Sequence, residues 1–259
     1  MQDCRTLQEV LRFAHGKVQP ATDIVVQERP FSIFVQDAKL VTLACLPTNV
    51  RALTRGFLLS EGFVDVPSAI TAISLDEART GAWVEADIPP QRLKRFLQTA
   101  EKSSGCGSSL SGSGSLQTSG WMEMTISATQ LIGWMQQFRQ SSELFKETGG
   151  VHSAALVHEG AVRFFAEDIG RHNAVDKVIG MAMEAAVPLT QCILLSSGRI
   201  SAEIVRKAIR ARLPLICSQS APTSEAIRLG WQYHRYLIGF ARNQRFTLYT
   251  GFKTIQIKS

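Results

Sequence analysis

The sequence predicts an α/β protein: a layered domain whose sheet is covered on both faces, preceded by a smaller α+β domain. Three observations predict it. From Gly149 onward, strand-like and helix-like segments alternate, the rhythm of a sheet wrapped by helices. The strand-like segments there, QCILLS and LPLICS among them, are apolar throughout, as strands buried on two faces are. A Gly/Ser tract separates this part from a first half with strands and helices of its own. The expected division is residues 1–102 as the α+β domain, 103–120 as a flexible loop, and 121–259 as the α/β domain.

Residues from about Ile24 to Leu46 read as strands, FSIFV and LVTLACL, separated by the turn-like QDAK. VRALTRGFLLSEGFV reads as a helix ending near Gly62, with Leu53, Phe57 and Leu58 at helical spacing. GAWVEADI reads as a strand stopped by Pro89-Pro90, and QRLKRFLQTAEK as a helix. Past the Gly/Ser tract, ATQLIGWMQQFRQSSELF reads as one amphipathic helix. SAALV and AVRFFAED form a hairpin around His158-Glu159-Gly160. HNAVDKVIGMAMEAA follows as a helix, with Ala174, Val175, Val178 and Ile179 on one face. QCILLS is a buried strand, SAEIVRKAIRARL a helix with its N-cap at Ser201, LPLICS a second buried strand and TSEAIRLGWQYH a helix. YLIGFA and RFTLYTG close the sheet.

The composition is that of a globular protein: 45% hydrophobic and 19% charged residues. A net charge of +6 favours an acidic partner. The basic residues are dispersed, so a nucleic-acid arm is not expected. MQDCRTLQEVLRFAHG has no apolar core of a signal peptide. No apolar run approaches the length of a membrane span. A cytoplasmic protein with no membrane partner is expected. The five cysteines, Cys4, Cys45, Cys106, Cys192 and Cys217, share no CxxC spacing, which speaks against a disulfide framework or a cysteine zinc site.

In covered sheets, ligands gather at the carboxyl ends of strands. Three loops qualify: EDIGRHN (167–173), SSGRIS (196–201) and SQSAPTS (218–224). Each leads into a helix whose first N–H groups lack intrahelical partners and favour an anion. Arg171 and Arg199 add guanidinium forks suited to phosphate. Ala241-Arg242-Asn243-Gln244-Arg245 joins the last two strands and adds more positive charge. A nucleotide-like ligand fits these groups. There is no GxxxxGK[ST] and no strand–GxGxxG–helix, so neither a P-loop nor a Rossmann site is indicated.

Cys45, Cys192 and Cys217 lie in apolar runs and read as buried small hydrophobes, and Cys4 as incidental. Cys106 differs, being flanked by Gly105 and Gly107 with no hydrophobic neighbour close by. An ordinary thiol is only about 3% thiolate at neutral pH, and a cation or helix N-terminus nearby would raise that share. A mobile reactive thiol suits a carrier that must face a donor and then an acceptor. His152 and His172 sit at element edges, where either orients a ligand, tunes Cys106 or serves as a structural hydrogen-bonding group. His15, His158 and His234 read as surface residues.

ETGGVHSAAL, EDIGRHNAVDKVIG, SSGRIS, SAPTSEA and GFARNQRFTLYT, in that order, together with GFLLSEG (56–62), resemble the formate dehydrogenase accessory protein family, FdhD/NarQ. The resemblance runs from about Arg29 onward. It implies a cytidine-deaminase-like layered mixed sheet in the C-terminal part, and a homodimer. It implies sulfur transfer: a persulfide received from a cysteine desulfurase, with the sulfur passed to the bis(molybdopterin guanine dinucleotide) molybdenum cofactor. The cofactor is bound as substrate, the client is formate dehydrogenase, and no metal is bound directly by the protein. Cys106 would be the catalytic residue. The family's cofactor segment maps onto Phe240, Ala241, Arg242, Asn243, Gln244 and Arg245. Arg171, His172, Asn173, Ser197, Gly198 and Arg199 complete the expected site for the cofactor's guanine nucleotide moieties. Family members carry a CxxC in the central loop. Here the stretch is Cys106-Gly107-Ser108-Ser109, so the second cysteine is a serine and no disulfide can form between the two positions.

Two other readings stand beside this one. The first is a non-catalytic chaperone that binds and delivers the guanine-nucleotide cofactor, with Cys106 dispensable. The second is a nucleic-acid- or nucleotide-binding enzyme of the deaminase class, which stoichiometric zinc would support. Zinc deaminases need H-x-E or C-x-E followed by P-C-x-x-C, and His152-Ser153-Ala154 lacks the glutamate.

Overall fold

The computed structural model describes residues 4–36, 38–78, 80–94, 96, 116 and 120–258. The larger sheet contains β8 (His152–His158), β9 (Ala161–Asp168), β10 (Ile193–Ser196), β11 (Leu215–Ser218), β12 (Tyr236–Arg242) and β13 (Arg245–Leu248). Its spatial order is β13-β12-β11-β10-β8-β9. β10, β11 and β12 run parallel, and β8, β9 and β13 are antiparallel to their neighbours. The sheet is therefore mixed, with a parallel centre.

Side-chain alternation feeds two cores. Ala154, Leu156, Leu194, Ile216 and Leu237 face one of them. Ala155, Val157, Leu195, Leu215, Cys217, Tyr236 and Ile238 face the other. Helices α4 (Arg171–Glu184), α5 (Ala202–Arg210) and α6 (Ser224–Gln232) cover the first face. Helix α2 (Ala128–Gln140) covers the second through Leu131, Met135 and Phe138, beside a small parallel pair of β7 (Met124–Ser127) and β14 (Ile255–Lys258). With no solvent-facing side on its central strands, the sheet needs the unbroken apolar runs seen in the sequence.

The amino-terminal part has a four-stranded sheet in the order β4-β3-β6-β5. Its strands are β3 (Arg29–Val35), β4 (Ala38–Cys45), β5 (Ile70–Leu75) and β6 (Gly81–Ala86). Phe31, Ile33 and Val35 alternate inward along β3. Helix α1 (Val50–Ser60) lies against α4. The two helices approach so closely that a Cβ on Gly56 would sit 1.8 Å from the Asp176 carbonyl oxygen, and one on Gly180 1.8 Å from that of Ala52. One continuous apolar cluster joins the two parts, from Phe31 and Leu53 through Ile179 to Ile204 and Leu237.

Two buried lysines tie the parts together. Lys177 Nζ lies 2.6 Å from Asp168 Oδ2 and donates to the Leu46 and Glu167 carbonyls and to Thr48 Oγ1. Lys207 Nζ lies 2.8 Å from Asp176 Oδ2 and 2.6 Å from Glu61 Oε1 and donates to Ser60 Oγ.

Several elements depart from the sequence expectation. β1 (Arg5–Ala14) and β2 (Lys17–Val26) form a long hairpin ahead of the expected first strands. Its apolar residues face solvent, so no core-facing pattern announces it. The helix expected as one piece is two, α2 and α3 (Glu143–Thr148). The break falls where the Ser142 and Ser153 hydroxyls share a short hydrogen bond that pins the chain to β8. Gly149 ends α3 at φ 65°, a left-handed C-cap. His158 is buried rather than exposed, with Nε2 3.4 Å from Gln191 Oε1. Cys4, expected to be incidental, is packed with Leu46, Leu144 and Val151.

Candidate functional site

β10, β11 and β12 end on one edge of the larger sheet, where β8 begins and β9 ends. All three loops singled out in the sequence therefore emerge together. Their backbones interlock. Ile200 N–H donates to the Ala221 carbonyl, Thr223 N–H to that of Ile200, and Phe240 N–H to that of Ser220. Ser218 Oγ donates to the Gly198 carbonyl at 2.6 Å, and Gly198 N–H to Ser196 Oγ. Gly198 is buried between loops. A Cβ there would stand 3.1 Å from the Arg171 side chain and 3.6 Å from His152 Nδ1. Glycine at 198 is what lets these groups meet.

Beside this edge lies a hollow of ≈ 840 Å³. Ile169, Ser197 and Gln219, one from each loop, line it with His152 and Ser153 of β8. Gln136, Arg139, Gln140 and Lys146 of α2 and α3 form the opposite wall. A second hollow of ≈ 250 Å³ adjoins it, sharing Gln136 and Arg139 and lined by Ala241, Arg242, Asn243 and Gln244. Ala241 and Arg242 end β12, and Asn243 and Gln244 form the turn into β13, at φ 51° and φ 61°, the left-handed pair of a two-residue hairpin loop. The turn holds Arg242 and Arg245 opposite one another, both exposed.

The site is electropositive while its histidines are neutral. Ser197 Oγ accepts from Ser153 N–H at 2.9 Å and lies 3.4 Å from His152 Nδ1. Burial, then the Arg171 charge, holds His152 below the usual histidine range. His172 is pushed down to about 4, first by burial and then by Lys207 and Arg171. Both rings are therefore uncharged at neutral pH and able to accept a hydrogen bond. Arg171 Nε is buried with no hydrogen-bond partner among the described residues. An orphaned guanidinium donor at such a place favours an anionic acceptor.

The expected site residues are thus partly assembled. Ser197 lines the larger hollow, and Ala241, Arg242, Asn243 and Gln244 the smaller. Arg171 and Gly198 stand directly behind His152. Arg199 is exposed on the rim, and Phe240 precedes the turn at φ 52°. His172 feels the charges of Lys207, Arg171, Glu203 and Glu61. Asn173 is buried, and its Nδ2 donates to the Ala44 carbonyl and to Asp168 Oδ1. Cys106 lies outside the described residues. The sequence reading missed the α2–α3 wall. Its signal was the polar stripe Gln136, Arg139 and Gln140, at helical spacing opposite the buried Leu131, Met135 and Phe138. Among the described residues, no three His, Cys, Asp or Glu side chains converge as a metal site.

The sequence profile described as the FdhD/NarQ family matches residues 26–256. The chain belongs to the FdhD/NarQ family. FdhD/NarQ relatives match it along almost the whole length. A protein of Listeria innocua named sulfur carrier protein FdhD is 33% identical, over 98% of this chain and 99% of its own. One of the same name from Shouchella clausii is 30% identical, over 100% and 99%. The crystal structure of a putative formate dehydrogenase accessory protein from Desulfotalea psychrophila shares the fold. It has a TM-score of 0.80 and 23% identity, and the match covers 98% of this chain and 100% of that one. The FdhD/NarQ profile begins at the end of β2, so most of the first hairpin lies ahead of it.

Proposed function

We propose that this chain is a sulfur carrier in formate dehydrogenase maturation, with Cys106 as its persulfide site. Support comes from the relatives named sulfur carrier protein FdhD, and the carrying observation is the state of the other four thiols. Cys4, Cys45, Cys192 and Cys217 are all buried. Burial, then the Asp168 carboxylate, pushes the Cys45 thiol up to about 12. Burial alone pushes Cys192 up to about 11 and raises Cys217 as well. Buried thiols pushed so far up are not nucleophiles at neutral pH. Of the five cysteines, Cys106 is the one that remains.

Loading is a thiol exchange. The Cys106 thiolate attacks the outer sulfur of a persulfide on a cysteine desulfurase. The donor's S–S bond breaks, its thiolate leaves, and a new S–S bond forms on Cys106 with no net change in oxidation state. The acceptor is the bis(molybdopterin guanine dinucleotide) molybdenum cofactor, bound as substrate. The two adjoining hollows suit its polyanionic arms. Arg139 and Arg242 present guanidinium groups to phosphate. Neutral His152, with Ser197 and Gln136, offers hydrogen bonds to a polar base.

Intact-mass spectrometry after incubation with a cysteine desulfurase and cysteine tests the carrier role. The expected result is a gain of one sulfur in the wild type and none in Cys106→Ala, with guanosine diphosphate binding unchanged. Equal loading of the variant would refute the reading and leave a chaperone that carries only the cofactor.

A further inference from the structure

The α3 wall of the larger hollow has little of its own to hold it in place. α3 is six residues long, too short to persist as a helix without tertiary contacts. Leu144 is its one buried side chain, while Glu143, Phe145, Lys146 and Glu147 are exposed. The first N–H groups of a helix have no intrahelical partner, and the side chain of Ser142, the N-cap residue, does not cap them.

Glu167 supplies what is missing from another element. It lies at the end of β9, directly opposite Ser153 of β8. Its carboxylate accepts from Phe145 N–H at 3.2 Å and from Leu144 N–H at 3.4 Å. The Ser142 hydroxyl also donates to it, and shares a short bond with the Ser153 hydroxyl. Ser153 N–H in turn donates to Ser197 Oγ. One chain of hydrogen bonds thus runs from α3 through Glu167, Ser142 and Ser153 to the facing side of the hollow. Ser142, Phe145 and Lys146 line that hollow, and Glu167 does not. Lys146 Nζ donates to the Gln140 carbonyl at 2.6 Å, which joins α3 to α2. An ammonium has three donors, so two remain for a guest.

We propose that Glu167 is a positioning residue for the anionic guest: its carboxylate latches α3 to the sheet edge and so holds Lys146 facing the hollow. The inference rests on the proposed cofactor site and names a residue that charge alone would not select. An acidic side chain near an anion site lowers affinity through its charge. A latch raises it. The two effects have opposite signs, so an experiment can separate them.

Calorimetric titration of guanosine diphosphate into full-length wild type, Glu167→Gln and Glu167→Ala at neutral pH tests it. Glu167→Gln keeps one oxygen to accept from Phe145 N–H and should weaken binding about threefold. Glu167→Ala keeps none and should weaken it about tenfold or more. Hydrogen exchange in the peptide spanning residues 142–148 should quicken in the same order. A purely electrostatic role would instead tighten binding equally in both variants, since both lose the same charge. That result, or variants with unchanged affinity and exchange beside a wild type that binds, overturns the latch alone. A wild type that binds no guanosine diphosphate overturns the cofactor site and the latch together. If Glu167→Ala loses its native near-ultraviolet circular dichroism, Ser142→Ala, which removes another bond of the same latch, takes its place with the same expected and contrary directions.

Discussion

His172 illustrates how one ring is held neutral by its surroundings. Its pKa in the folded chain is about 4, against 6.5 when unperturbed. Well above pH 6.5 both the folded and the unfolded chain carry it neutral, and it contributes nothing to pH dependence. As pH falls toward 4, the unfolded chain takes up the proton first and stability drops, by up to about 1.4 kcal/mol per pH unit. Asp176 shifts the other way, raised to about 6 by burial, so the histidine's share must be read as a difference. Urea midpoints of wild type and His172→Asn, compared between neutral pH and about pH 5, isolate it. The wild type should lose more stability than the variant on acidification, and identical losses would refute the assignment. The loop that carries this ring was legible in the sequence because strand ends and helix starts are local signals. Its charge environment was not, because α5 and its Lys207 come from another part of the chain. Asn173 shows the same limit: its amide serves the Ala44 carbonyl, a partner 129 positions away.

At the scale of elements, the α1–α4 crossing decides how the two parts of the chain meet. Alanine in place of an exposed helical glycine gains up to about 1 kcal/mol from backbone entropy. At Gly56 and Gly180 the sign reverses, because each new Cβ would collide with a backbone carbonyl of the facing helix. Gly56→Ala and Gly180→Ala should each cost about 3 kcal/mol or more, measured by urea denaturation. A loss below about 1 kcal/mol in either would mean the helices can separate without consequence. The apolar strands β10 and β11 and the β8–β9 hairpin could be read from residues alone, because burial on two faces and a Glu-Gly turn leave a local imprint. The β1–β2 ribbon could not, since its ladder answers to no core within the chain. Nor could the break between α2 and α3, which depends on Ser153 of a later strand.

The two sheets are expected to unfold together, because a single apolar cluster and two buried lysines span both of them. Lys177→Met would leave the Asp168 carboxylate buried with Leu46 N–H, Gly170 N–H and Asn173 but without its counter-ion. Breaking such a pair from one side costs about 3–5 kcal/mol. The double variant Asp168→Asn/Lys177→Met should recover part of that loss. Urea titration followed by far-ultraviolet circular dichroism and tryptophan fluorescence should give one coincident transition for the wild type. Separate transitions for the two sheets would contradict the continuous core.

The interlocked loops at the sheet edge have a practical corollary. Because Ile200, Ala221, Thr223, Ser220 and Phe240 fasten one another through main-chain atoms, the outward tips at Arg199, Arg242 and Arg245 are decoration on a rigid frame. Their charges can be exchanged in combinatorial libraries with little penalty to folding. The charge of this rim can then be redrawn without rebuilding the scaffold.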